Sequence, residues 1–325
     1  MRVDYQLSDK QSLFARFLIA RQDAAVPYTL APNNVLTAGG VGNNDQETAL
    51  TLGDTYLFSA STVNSVRLFA NRIAAQFPGA KMFGPENVGI NSYTYQPNYL
   101  SIPVTGGFSL GSGNASENSF ANTTDFGVNE DVSIIHGSHL FAFGGYFMRT
   151  IEWSVAQFSS GGVFTVSGGT TGLGLSDFMM GDVAQFRNGN PNPLNLSQNF
   201  GALYAQDTWK ITPRLTMNIG VNWDPFLAIS FQQGDVYSFN LGNFQQGIRS
   251  KVIPGAPPGF LYPGDPGFYG TSGIHRSMET LIPGSGSPGI LSETVKPRSA
   301  WEVESLMTSL LRTCISTRPR FHHSV

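Results

Sequence analysis

His136 and His139 stand three residues apart and are the best-spaced pair of metal-ligating side chains in the chain. A closed zinc site needs four donors, and even a catalytic one needs three. No neighbouring Cys or Glu completes either set, and the Gly137-Ser138 step between the histidines reads as a tight turn that leaves both rings exposed. Asp125, Glu130 and Asp131 offer oxygen donors for calcium but lack the spacing of a calcium-binding loop, so they read as a solvated acidic turn. Cys314 is the single cysteine. It excludes an intramolecular disulfide framework and, without a nearby base, makes a poor nucleophile. The Gly-rich stretches "TAGGVGNN" and "SGGTTGLG" do not lead from a strand into a helix that opens with Lys-Ser or Lys-Thr, as a phosphate cradle would. The spacings therefore predict no catalytic, metal or cofactor site and no enzyme.

Such chemistry-poor residues must belong to elements with another purpose. Charged residues make up 13% of the 325, against roughly 25% in typical soluble domains, and polarity comes mainly from Asn, Gln, Ser and Thr. A soluble surface of that kind would be poorly solvated, whereas a wall facing lipid needs no charge. The net charge of −3 and the absence of a basic stripe argue against a nucleic-acid partner. No apolar run approaches the ~20 residues of a membrane helix. The opening "MRVDYQLSDKQ" is strand-like and has no signal-peptide pattern, which leads us to expect a true N-terminus further upstream.

Strand pairs with short polar turns recur along the chain. In "LTMNIGVNWD" Leu215, Met217, Ile219, Val221 and Trp223 point one way, and Thr216, Asn218, Gly220 and Asn222 the other. Turns are expected at Ser8–Gln11, near Ser61-Thr62, at His136-Gly137-Ser138 and at Thr212-Pro213-Arg214. Each arm reads as about ten residues, the length that crosses a bilayer at a tilt, and about ten or eleven strands precede Gly270. Met217, Ile219 and Val221 are expected to face lipid. Leu203, Ala205, Trp209 and Ile211 share a face interrupted by Asp207, and Tyr204, Trp209, Trp223 and Phe226 are expected to form aromatic girdles. The long Gly-, Pro- and Asn-rich connections Asp23–Asp45, Gly79–Asn122 and Asn240–Gly270 are the expected ligand-facing regions, with no individual binding residue assigned.

The stretches "GDTYLFSASTVNSVRLFANR", "HGSHLFAFGGYFMR", "GLGLSDFMMGD" and "YAQDTWKITPRLTMNIGVNWD" occur in family order and resemble the barrel of TonB-dependent outer-membrane receptors. The closest likeness is to the Oar-like group, whose chains carry a carboxypeptidase-regulatory-like domain before the plug. The resemblance covers roughly Arg2 to His275. It implies an all-β fold, an antiparallel transmembrane β-barrel segment amounting to about half of a large barrel. It further implies uptake of a scarce small ligand or glycan, outer-membrane lipid as surroundings, and the TonB complex as partner of the full-length protein only. The plug and TonB box that precede such barrels lie outside this chain, and Asn222-Trp223-Asp224 replaces an Arg-Tyr-Glu-like end. A non-transporting structural or adhesive barrel is the first alternative, and a secreted polysaccharide-binding β-sandwich the second.

The domain reading is a partial barrel over 1–270 and a tail over 271–325 without the resemblance. Back-translated with permitted codons and shifted by one base, "RSMETLIPGSGSPGILSETVKP" encodes "KYGNFDPRFGFAWDPFGNGKT", which resembles the barrel segment the family places next. One lost C would turn a His-Pro-Lys junction into His275-Arg276. The tail is accordingly expected to be out of frame and disordered, and Cys314, His322, His323 and the helix-like Trp301–Arg312 to have no selected role.

Overall fold

Alternating polarity broken by two-residue turns favours antiparallel hairpins, because each hairpin pairs its backbone without a crossover. The computed structural model describes residues 1–26, 41–111, 117–234 and 236–278, with the backbone of 281–286. It contains β1 (Arg2–Ser8), β2 (Gln11–Ala24), β3 (Asn43–Ser59), β4 (Thr62–Phe77), β5 (Ile102–Pro103), β6 (Ser109–Leu110), β7 (Ser119–His136) and β8 (His139–Ala156). There follow β9 (Val163–Thr165), β10 (Gln185–Arg187), β11 (Asn192–Thr212), β12 (Leu215–Trp223), β13 (Ser230–Phe231), β14 (Ser238–Phe239), β15 (Phe260–Leu261) and β16 (Leu281–Gly286). One antiparallel sheet runs β1-β2-β3-β4-β7-β8-β11-β12-β16, with β13 added against β11. It does not close on itself: β1 and β16 stand at its two ends.

The short turns fall at Asp9-Lys10, Ala60-Ser61, Gly137-Ser138 and Pro213-Arg214, all at one end of the sheet, where the sequence places them. Gly137 takes φ +59°, which a side chain there would disfavour. Three expectations differ from the structure. The arms reach 14 residues in β2, 18 in β7 and β8 and 21 in β11, so they continue well past a bilayer's height. The added residues, such as Asn192–Gln198, lack strict alternation, so the sequence pattern does not mark them as strand. Among the described residues eight long strands, rather than ten or eleven, precede Gly270. "GLGLSDFMMGD" is not a barrel strand: Gly174–Met180 is a short helix in a connection. An apolar run of that length does not distinguish helix from strand by period alone.

The register carries the barrel geometry. Across the sheet Gln11 stands level with Tyr56, Asn64, Val132, Phe143 and Ala205. The next hairpin starts at Thr62, level with Asp207, and the next at His139, level with Trp209. The ladder thus slips by two residues per hairpin, one per strand. At ~3.3 Å per residue and ~4.8 Å between strands this is a slant of roughly 35°, within the range of tilted membrane-barrel strands.

The two faces separate as the alternation requires. One carries Phe17, Ile19, Leu50, Leu52, Leu68, Phe126, Phe143, Phe147, Leu203, Ile219 and Val221, all exposed large hydrophobic residues. So broad an apolar surface is stable only against lipid. A two-sheet sandwich would bury these side chains in a core, yet among the described residues of the large sheet only Ala202, on β11, is a buried hydrophobic residue. The opposite face is polar and Gly-rich. On it Phe14, Phe69 and Tyr204 stand opposite Gly53, Gly127 and Gly144, and each ring covers the bare backbone of its facing glycine.

Candidate ligand-binding face

The polar face of the sheet lines the interior of the barrel. Gly144 is empty where a Cβ would come within 2.4 Å of the Tyr204 ring and 2.6 Å of the Glu130 carbonyl oxygen. Through that gap Tyr204 reaches from β11 across β8 to β7 and donates its hydroxyl to Asp131 Oδ1 at 2.6 Å. Arg67 on β4 donates to the other oxygen of Asp131 at 3.3 Å. Thr150 donates to Asp125 at 2.6 Å. These bonds tie four neighbouring strands and fix the interior wall.

The expected acidic turn is corrected here. Asp125, Glu130 and Asp131 lie within β7, where alternation puts both aspartates inside and Glu130 on the lipid side, accepting from Asn64 Nδ2 at 3.1 Å. No three His, Cys, Asp or Glu residues converge on a metal position among the described residues. His136 and His139 pair across the turn, as the sequence suggests, but His139 Nδ1 also meets Asp207 Oδ2 at 2.7 Å. The girdle expectation changes too. Trp209 stacks on His139 with centroids 5.1 Å apart at the turn end, whereas Tyr204 points inward and is no girdle residue. Cys314, His322 and His323 lie outside the described residues.

At the opposite end the long connections are built, not slack. Residues 78–111, with 117–118, and residues 157–191 fold on each other through parallel bridges from Ser101 to Val163 and from Val104 to Val166. Tyr99, Leu100, Val104, Val163, Phe164 and Val166 form the buried apolar core of this cap. Burying them releases water from their surfaces, which stabilises the cap by about 1.5–3 kcal/mol for each large side chain. Gly161 permits the closure, since a Cβ there would lie 2.6 Å from the Tyr99 carbonyl oxygen. Phe108 meets Phe178 edge to face at 5.1 Å, joining the first connection to the helix of the second. Asp177, 2% exposed, accepts from the Thr171 hydroxyl at 2.6 Å and from the Thr171 and Thr170 amides. Those donors, the hydroxyl first, hold its carboxyl below the usual range. The sequence reading did not count residues 157–191 among the ligand-facing regions.

The last connection, described over residues 224–234 and 236–278, has its own anchor. Asp265 accepts from the Ser250 hydroxyl at 2.5 Å and from the amides of Tyr262, Lys251 and Val252, and its carboxyl is likewise held low. In the same connection Phe260 gathers Tyr237 at 5.3 Å and Phe239 at 5.5 Å, and Phe244 lies 5.7 Å from Phe239. Tyr237, Phe239 and Phe244 are each more than half exposed, at 62%, 51% and 52%. The sequence signalled only the region, because Phe260 is 16 to 23 residues from the other rings and meets Tyr237 and Phe239 only when β14 pairs with β15. The expected ligand region Asp23–Asp45 lies partly outside the described residues.

A family model described as an outer membrane beta barrel domain matches residues 1–286. The chain belongs to that family. This outer-membrane barrel chain is similar to two solved structures. One is the outer membrane transporter YddB from Escherichia coli, at 10% identity and TM-score 0.40, over 71% of this chain and 28% of that one. The other is the Ferric-Catecholate import receptor Fiu from E. coli K12 in its open form, at 13% identity and TM-score 0.39, over 87% of this chain and 42% of that one. The barrel chain thus spans less than half the length of either. No curated protein matches its sequence. Family membership places the barrel chain in the outer membrane. Short turns at one end and long connections at the other match the periplasmic and external ends of such barrels.

Proposed function

We propose that the barrel chain is part of an Oar-like, TonB-dependent receptor that takes up a scarce small ligand or glycan through its external loops. The exposed ring cluster of Tyr237, Phe239 and Phe244, gathered on Phe260 by the pairing of β14 with β15, carries this reading. Aromatic faces presented to solvent on a rigid support suit the apolar faces of sugars or of other ring-bearing ligands. The loop cap of residues 78–118 and 157–191 supports it further, because a preordered mouth loses less entropy on binding. No covalent chemistry is required; energy reaches the ligand through TonB in the full-length protein.

The test uses the full-length protein encoded at the locus, produced in outer membranes with and without a functional TonB complex. A panel of labelled glycans and siderophores is offered, and cell-associated label is followed over time. TonB-dependent accumulation that Y237A/F239A/F244A reduces about tenfold or more supports the reading, since each ring contributes on the order of 1 kcal/mol. Binding without accumulation assigns the non-transporting barrel instead.

A further inference from the structure

On the lipid face, the second strand of each of three hairpins carries an arginine at one fixed distance from its turn. Gln11 to Arg21 in β2, Thr62 to Arg72 in β4 and His139 to Arg149 in β8 each span ten residues. The even spacing puts each arginine on the same face as the first residue of its strand, among the lipid-facing side chains. The rungs agree: Arg21, Arg72 and Arg149 stand level with Asn195, Ser197 and Asn199 of β11, the same two-residue slip that the turns show. The three guanidinium groups therefore share one height above the turns. Ten residues at ~3.3 Å, slanted by roughly 35°, rise about 27 Å, close to the ~25 Å apolar band of outer-membrane barrels. The row lies where the external end of the hydrocarbon meets the headgroups.

The charges are not cancelled within the protein. Among the described residues the side-chain ion pairs are Arg2–Asp4, Arg67–Asp131 and His139–Asp207, so the interior arginine of the same β4 strand is paired and Arg72 is not. Arg72 donates to the neutral Thr124 hydroxyl at 3.1 Å. Arg21 and Arg72 are exposed and Arg149 half-buried. The one carboxylate near the row on its own face is Asp23, a further step outward on β2. Adjacent arginines lie two strands, about 10 Å, apart.

We propose that Arg21, Arg72 and Arg149 form a binding row for the anionic phosphate groups of outer-leaflet lipid, which fixes the depth of the barrel in the membrane. Arginine suits the task because its planar fork donates to two phosphate oxygens while its stem lies along the apolar surface. The inference rests on the membrane placement of the sheet and is independent of any transport.

The full-length protein encoded at the locus is refolded into phosphatidylcholine vesicles and into vesicles enriched in phosphatidylglycerol, and the membrane-bound fraction is read by flotation. We expect a preference for the anionic vesicles that weakens with salt. R21Q/R72Q/R149Q should reduce that preference by about fivefold per arginine removed. K81Q/R187Q/K251Q, an equal charge change in the loops, should leave it in place, and R21K/R72K/R149K should retain most of it. A native chain without the preference, a triple Gln variant that keeps it, or a Lys variant that loses it as fully as the Gln variant overturns the proposal.

Discussion

The Nδ1 atom of His139 lies 2.7 Å from Oδ2 of Asp207, on the membrane face of the sheet, with the Trp209 ring stacked over the imidazole. A lone carboxylate would be costly there, and the histidine beside the turn gives it a polar partner at the interface. Changing His139 to Leu should cost about 1–3 kcal/mol, the penalty for orphaning a half-buried polar group. H139L/D207L should cost less than the two single changes added together. A urea-unfolding cycle in vesicles measures the difference, and strict additivity would show that the pair is not coupled.

Ile219 is 53% exposed on the lipid face, and its neighbour Asn218 points inward. In a complete barrel Ile219→Arg should destabilise by about 2–4 kcal/mol if the residue sits near the midplane. Asn218→Arg should cost far less, because the interior is wet. Equal losses in the two unfolding titrations would contradict the assignment of faces.

Gly144→Ala should break the bond between Tyr204 and Asp131, because the new methyl group meets both the ring and the Glu130 carbonyl. Gly145→Ala is no control, since Leu203 crowds it from the other face. Tyr204→Phe is the proper comparison: it keeps the ring over Gly144 and removes only the hydroxyl. It should cost about 1.5–3 kcal/mol, as for a hydrogen bond to a charged group, and G144A should cost more.

Asp177 makes the loop cap sensitive to acid. Its carboxyl titrates below the ordinary value of 3.8 in the folded cap, so the unfolded loop binds the proton more readily. The stabilisation is fully present above that ordinary value and is lost as pH falls through the lower folded one. Pepsin should accordingly cut residues 157–191 progressively faster as pH falls below 3.8. D177N should be cut more readily at mild acidity, with less dependence on pH. An unchanged pH profile in D177N would remove Asp177 from this role.

We propose that the sequence from Arg276 onward is read out of frame. The backbone of Leu281–Gly286 pairs with Asn218–Trp223 at the open edge of the sheet, and edge pairing through main-chain bonds makes few demands on sequence. The remainder of the tail, from Ser287, lies outside the described residues. Sequencing the locus decides: a second frame after codon 275 that encodes further alternating strands is the expected result, and a second frame without them refutes the idea.

Alternation in stretches such as Leu215–Trp223 and the two-residue turns dictated hairpins, faces and a membrane location, because period, polarity and turn chemistry are local properties. Low charge marked the lipid face for the same reason. The register was not legible. Only the paired backbone shows the one-residue slip per strand that brings Arg21, Arg72 and Arg149 to one height. Asp207 read as a lone charge in the sequence until the sheet brought His139 beside it from 68 residues away. The cap core of Leu100 and Val163 and the ring cluster around Phe260 were hidden likewise. Their residues are distant or irregularly spaced along the chain, and only the free energy of burying and pairing them in three dimensions selects those contacts.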